Sequence, residues 1–256
     1  MPTILANILL GLVAGAIVNY LADVLPIKRQ LVAPICLNCE SRQNLVNYLV
    51  LPRRCEVCGQ PRNIRSYVVD VVFALSAVWL WQSPPEDIGF VSGMLLLTFF
   101  GVVTVIDIEH RLILNPVSLV GAIIGLSVGT WLHGLKSTLI GGVAGFLAML
   151  LLYLLGGLLM GWLARRRGQI LDEDALGFGD VNLSGILGLL LGWPGILIGL
   201  ILTILLAGIV SFVYLLGALL TRSYRMNMAL PYGPFLISSA VALLFFREYV
   251  LQYMGW

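Results

Sequence analysis

Charge is the scarcest thing in this sequence. Of 256 side chains, 15 are basic and 13 acidic, so charged residues make up 11%, where ordinary soluble domains carry about 25%. That is too little to cover a solvated globular surface, which excludes a soluble enzyme, a disordered chain and a nucleic-acid-binding module. Histidine occurs only at His110 and His133, and cysteine only between positions 36 and 58. Hydrolases that pair a serine or cysteine nucleophile with a histidine therefore have little to build on. Runs that alternate polar and apolar residues are missing too, which excludes a transmembrane strand barrel. The 28 glycines follow no three-residue period; this excludes a collagen-like chain and suits closely packed membrane helices.

What is present is apolar: 59% of the residues are hydrophobic. A membrane-spanning helix needs about 20 mainly apolar residues. The sequence predicts eight such helices, near 3–25, 67–82, 89–106, 115–133, 137–163, 181–193, 195–220 and 230–246. The first has no basic segment before it and runs on into Asn19 and Asp23, so it reads as a retained helix and not a cleaved signal. With the N-terminus outside, the inside loops collect 13 basic residues and the outside keeps two, Lys136 and Arg247. That asymmetry sets the orientation and makes 26–66, 107–114, 164–180 and 221–229 cytoplasmic. The expected fold is an all-α integral membrane protein with about eight transmembrane helices and a small cytoplasmic zinc-binding loop domain between the first two.

The four cysteines stand as Cys36-Leu-Asn-Cys39 and Cys55-Glu-Val-Cys58. Two such pairs at this separation read as a four-thiolate zinc site, closed on all sides and therefore structural. A loop of about 40 residues is too short to build its own core, which makes a metal staple physically sensible. Disulfides and unmetallated thiols are the competing readings, the former disfavoured by a cytoplasmic location.

With so few acids, each can be weighed. Asp23 and Asp70 flank the cysteine loop at helix ends, where a solvated or capping role is expected. Asp172, Glu173 and Asp174 form a charge run that reads as a wet linker. Asp107 closes the third helix, and Asp180 follows Gly177-Phe-Gly179 just before the sixth. Both stand at the cytoplasmic membrane edge, where a buried ionised carboxylate is costly and marks a functional site by default. The glycines let the backbone turn sharply and let another chain approach closely. If the two carboxylates meet, they share one proton: one activates water while the other protonates the scissile carbonyl. The rival reading is a zinc-stapled transporter or scaffold whose aspartates carry protons, although no internal repeat supports it.

At these residues the chain resembles the type 4 prepilin peptidases, bifunctional GxGD membrane aspartic proteases. Gly15-Ala-Ile-Val-Asn19 followed by Leu25-Pro26 is similar to the family's first-helix signature, and the two cysteine pairs occupy its zinc loop. Arg65-Ser-Tyr-Val-Val-Asp70 stands at the family's RYPLVE, with aspartate for glutamate. Asp107 and Asp180 match the two catalytic aspartates, with Gly177 and Gly179 in support, and Pro231-Tyr-Gly-Pro-Phe235 resembles the opening of the last helix. The sequence departs from the pattern at Val24 and Leu114, and at Asn182, which removes a positive charge near the pair.

The resemblance implies a peptidase of the bacterial inner membrane that cuts a prepilin or pseudopilin leader at the cytoplasmic face. It also implies methylation of the new N-terminus by S-adenosylmethionine, with Asn19 and Asp70 linked to cofactor binding. Residues 1–88 would carry the zinc and methyl-transfer half, and 89–256 the peptidase core. Asp172 to Asp174 would then be either a wet linker or an attractant for the basic leader, while Glu109 and His110 would be partners of the aspartates or solvated positions. The expected partners are the substrate and the lipid bilayer, with no nucleic acid.

Overall fold

The computed structural model describes residues 2–44, 48–49, 53–167, 177–220 and 231–247. Among these there is no strand beyond two isolated bridges, Ile35 with Arg42 and Arg54 with Pro61. The helices are α1 (Pro2–Lys28), α2 (Ile64–Gln82), α3 (Gly89–His110), α4 (Asn115–Arg167), α5 (Phe178–Leu191), α6 (Gly195–Leu220) and α7 (Gly233–Phe245). Five of them, α1 to α4 and α6, are long and apolar enough to cross a membrane, whereas α5 and α7 are shorter apolar helices. The apolar side chains run all round the long helices, so many remain uncovered by protein, such as Val91, Leu158 and Val213. A helix of this kind needs lipid or another helix on every face.

The stretches expected as separate helices at 115–133 and 137–163 form one run, α4, broken only at Gly134. Gly134 has φ +77, a left-handed conformation that glycine adopts at no steric cost. The bend thus takes one residue, and no connecting loop is needed.

The described chain divides into two compact units, Met1–His110 and Arg111–Trp256. In the first, α1 packs along α2 and α3. A Cβ at Gly15 would fall 2.9 Å from Asp70 Oδ1, so the absence of a side chain there brings the α2 acid against α1. In the second unit, α4 holds α5 closely. A Cβ at Gly188 would fall 2.2 Å from the Gly141 carbonyl oxygen, and Ser184 Oγ donates to the Gly145 carbonyl at 2.9 Å. At 14 residues α5 spans only about 21 Å. Its neighbours α4, α6 and α7 shield most of it, and Val181, Leu183, Leu187 and Leu190 are buried. A 2.7 Å hydrogen bond between Thr203 Oγ1 and Ser239 Oγ ties α6 to α7.

The charge run Asp172 to Asp174 and the basic loop 221–229 lie outside the described residues.

Candidate functional site

The two cysteine pairs fold as the same turn twice. The N–H of Glu40 donates to the Cys36 carbonyl at 2.8 Å, and that of Gly59 to the Cys55 carbonyl at 2.9 Å. The fourth residue after each first cysteine is left-handed, with φ +52 at Glu40 and φ +68 at Gly59. Two further bonds close the turns, Cys36 N–H to the Ser41 carbonyl at 2.9 Å and Cys55 N–H to the Gln60 carbonyl at 3.0 Å. Together they turn all four sulfurs inward, within 4.8 Å of one another. The Cys36–Cys58 and Cys39–Cys55 sulfur pairs are each 3.7 Å apart. Tetrahedral zinc with Zn–S bonds of about 2.3 Å sets its sulfurs about 3.8 Å apart, whereas a disulfide needs about 2.05 Å. All four cysteines are free thiols, so the donor set fits zinc and the disulfide alternative falls.

The surroundings favour thiolate at some of these positions. Backbone N–H bonding at Cys58 pulls the Cys55 thiol down to about 5. The Ser41 hydroxyl, 3.1 Å from Cys39 Sγ, lowers Cys39, whereas burial pushes Cys36 up to about 11.

The same loop returns its arginines onto the helix ends, which corrects the reading of Asp23 and Asp70 as solvated or capping residues. Asp23 is 2% exposed and Asp70 5%. Asp23 accepts from Arg62 Nη2 at 2.5 Å, from Tyr48 Oη at 2.6 Å and from Arg65 Nη2. The Arg62 guanidinium stacks on the Tyr48 ring, 3.5 Å from its centroid. Burial, with the Asp23 charge, pushes the Tyr48 phenol well above its ordinary range, so it stays a hydrogen-bond donor. Asp70 accepts from Arg53 Nη1 and, at 3.0 Å, from Asn19 Nδ2, which also donates to the Ser66 carbonyl at 3.0 Å. Buried carboxylates survive only with such partners. Sequence reasoning read these arginines solely as topology markers. The scarcity that singles out Asp107 and Asp180 applied equally to Asp23 and Asp70 and would have found them.

A cavity of about 370 Å³ lies among these groups, lined by Asp23, Asn38, Gln43, Arg53, Gln60 and Arg62 with others. Two guanidiniums, a carboxylate and several carboxamides make its wall polar, and the volume lies in the range of small-molecule sites. Asn19 and Asp70 are not in its wall; Asp70 reaches it through Arg53.

Asp107 stands in the last turn of α3 and is 5% exposed. Two residues on, Glu109 accepts from Arg65 Nη1 at 2.7 Å. In the other unit, Asp180 lies in the first turn of α5, 8% exposed. Its N–H donates to the carbonyl of the extended cap residue Gly177 at 3.0 Å, and the positive end of the helix dipole faces its carboxylate. Gly179 lets this turn approach the preceding segment, since a Cβ there would fall 2.8 Å from Ile113 Cβ. Tyr232, from the Pro231-Tyr-Gly-Pro-Phe235 stretch, lies within electrostatic reach of Asp180.

A profile described as the type IV leader peptidase family matches residues 94–216, which include both aspartates. The prepilin leader peptidase/N-methyltransferase of Aeromonas hydrophila is 28% identical over 204 residues, covering 78% of this chain and 65% of that protein. The protein of the same description from Pseudomonas putida is 30% identical over 224 residues, covering 83% of this chain and 72% of its own length. The one from Myxococcus xanthus is 23% identical over 218 residues, covering 81% and 62%. The chain thus spans a little under two thirds of the length of the Aeromonas relative. No solved structure matches it.

Proposed function

Since the chain belongs to the type IV leader peptidase family, we propose that it is a membrane-embedded aspartic endopeptidase that removes the leader of prepilins or pseudopilins at the cytoplasmic membrane face. One observation carries this reading: the family match over 94–216 takes in Asp107 and Asp180, both at helix ends and both under a tenth exposed. A catalytic pair of carboxylates shares one proton, because close like charges do not both ionise. The ionised carboxylate takes a proton from water as the oxygen attacks the scissile carbonyl carbon, and the protonated one gives its proton to the carbonyl oxygen. The tetrahedral intermediate then collapses: the C–N bond breaks, the carbonyl re-forms, and the departing amine takes up a proton.

The proposed topology has eight crossings, an outside N-terminus and the loop 26–66 in the cytoplasm of a bacterium with the chain in its inner membrane. Zinc on Cys36, Cys39, Cys55 and Cys58 would be structural. We assign the methyl-transfer half to 1–88 and the peptidase core to 89–256, a division by chemistry, since α3 packs with α1 and α2. S-adenosylmethionine would supply the methyl group for the new N-terminal amine. The cavity polar groups would hold it, Arg53 kept in place by Asp70 and Asn19.

The test is cleavage of a prepilin in membranes. Asp107→Asn and Asp180→Asn should each lower the rate by about 10²–10⁴-fold, the scale of general acid–base catalysis. Full cleavage by either variant overturns the pair.

A further inference from the structure

We propose that Arg65 is a positioning residue for Asp107, holding the last turn of α3 in its working place through Glu109. The inference rests on the assignment of Asp107 made above.

The need arises from the helix itself. The last carbonyls of an α-helix lack intrahelical partners, and its C-terminal end carries partial negative charge. Asp107 and Glu109 both fall in the last four residues of α3, where each acid is disfavoured by the dipole and by the other. Beyond them the helix stops, Arg111 turning left-handed at φ +51. A final turn with two acids and no anchor frays. Arg65, in the first turn of α2, brings a permanent cation to this turn, beside the terminal His110.

Its two terminal nitrogens do different jobs: Nη1 donates to Glu109 at 2.7 Å, while Nη2 donates to Asp23. Asp23 is in turn held by Arg62 and by Tyr48, which belong to the segment carrying the cysteines. One planar guanidinium therefore ties the ends of α1, α2 and α3 together and connects the metal loop to the turn that bears Asp107. The anchor is firm because Asp23 is 2% exposed and the Arg65 side chain 15%. Lysine, a compact point charge without the planar fork, holds two such carboxylates less rigidly.

The experiment measures kcat and KM for prepilin cleavage in membranes, with zinc content and melting temperature for each variant. Arg65→Ala should lower kcat by about 10–100-fold, the scale of a small misplacement of a reacting group, with KM changed by less than about threefold. Arg65→Lys should recover part of the loss. Glu109→Gln, at a side chain 27% exposed, threatens folding less and should lower kcat in the same direction. In an Arg65→Ala background, Glu109→Gln should add nothing further, because the coupling is already gone. Lys28→Ala, which breaks an exposed pair with Glu40, serves as the control and should leave kcat unchanged. The inference is overturned if Asp107→Asn abolishes cleavage while Arg65→Ala and Glu109→Gln keep wild-type kcat, or if their effects are additive. Full cleavage by Asp107→Asn instead removes the catalytic assignment itself.

Discussion

At Gly179 an added methyl group has nowhere to go. It would fall 2.8 Å from Ile113 Cβ, an atom fixed by the backbone that cannot swing away. The first turn of α5 would have to back off, and Asp180 with it. Gly177 differs: its extended φ of −77 and ψ of 140 suit any residue, and a Cβ would meet its nearest neighbour, Asp180 Oδ2, at an ordinary 3.6 Å. Gly179→Ala should therefore cost about 1–3 kcal/mol of overpacking and lower peptidase kcat at least tenfold. Gly177→Ala should cost only a few tenths to about 1 kcal/mol as a poorer cap and keep kcat within about threefold. Equal losses in a prepilin cleavage assay would refute the distinction. The sequence carries the two glycines as one motif, and only Ile113 separates them. The burial of Asp107 and Asp180 was legible because an acid beside apolar sequence stands out where acids are few. The burial of Asp23 and Asp70 goes unread although the same scarcity applies there, because the arginines that hold them, Arg53, Arg62 and Arg65, read equally well as topology markers.

At the scale of elements, that loop is two copies of one turn held by four sulfurs, with little apolar core among its described residues beyond Ile35 and Tyr48. Structural zinc supplies about 10–16 kcal/mol of apparent binding free energy in small knuckles, so most of the loop's stability should come from the metal. Chelation, or the paired change Cys36→Ser with Cys39→Ser, should lower bound zinc from about one per chain to less than a tenth. It should also open 26–66 to added protease. Helices α1 and α2 should stay paired, because Gly11 and Gly15 pack directly against α2. A metal-free loop as resistant as the native one would exclude a structural metal. The knuckles were legible because cysteine spacing encodes ligand geometry directly. The single-residue bend at Gly134 was not, because a left-handed glycine and a short loop leave the same mark between two apolar runs.

At the scale of the whole molecule, the scarcity of charge becomes an argument about direction. Five helices are long and apolar enough to span a bilayer, and large apolar side chains such as Trp131 and Leu158 face outward where lipid or another helix would cover them. Such helices carry no inherent up or down; the basic residues decide it. Lys28, Arg29, Arg42, Arg53, Arg54, Arg62 and Arg65 crowd between the end of α1 and the start of α2, while Lys136 follows Gly134 at the bend of α4. In the proposed topology the bend is outside and the loop inside. On a chain whose four native cysteines are replaced by serine, Lys136→Cys should react with a membrane-impermeant maleimide in intact spheroplasts, and Arg42→Cys only after the membrane is opened. Because loss of the native cysteines disturbs the loop, the Lys136 position is also read in the otherwise wild-type chain, as labelling above that of the parent. The reverse pattern would put the cysteine loop outside. Asp107 and Asp180 would then stand at the outer membrane edge, and cleavage at the cytoplasmic face would be physically impossible for this chain.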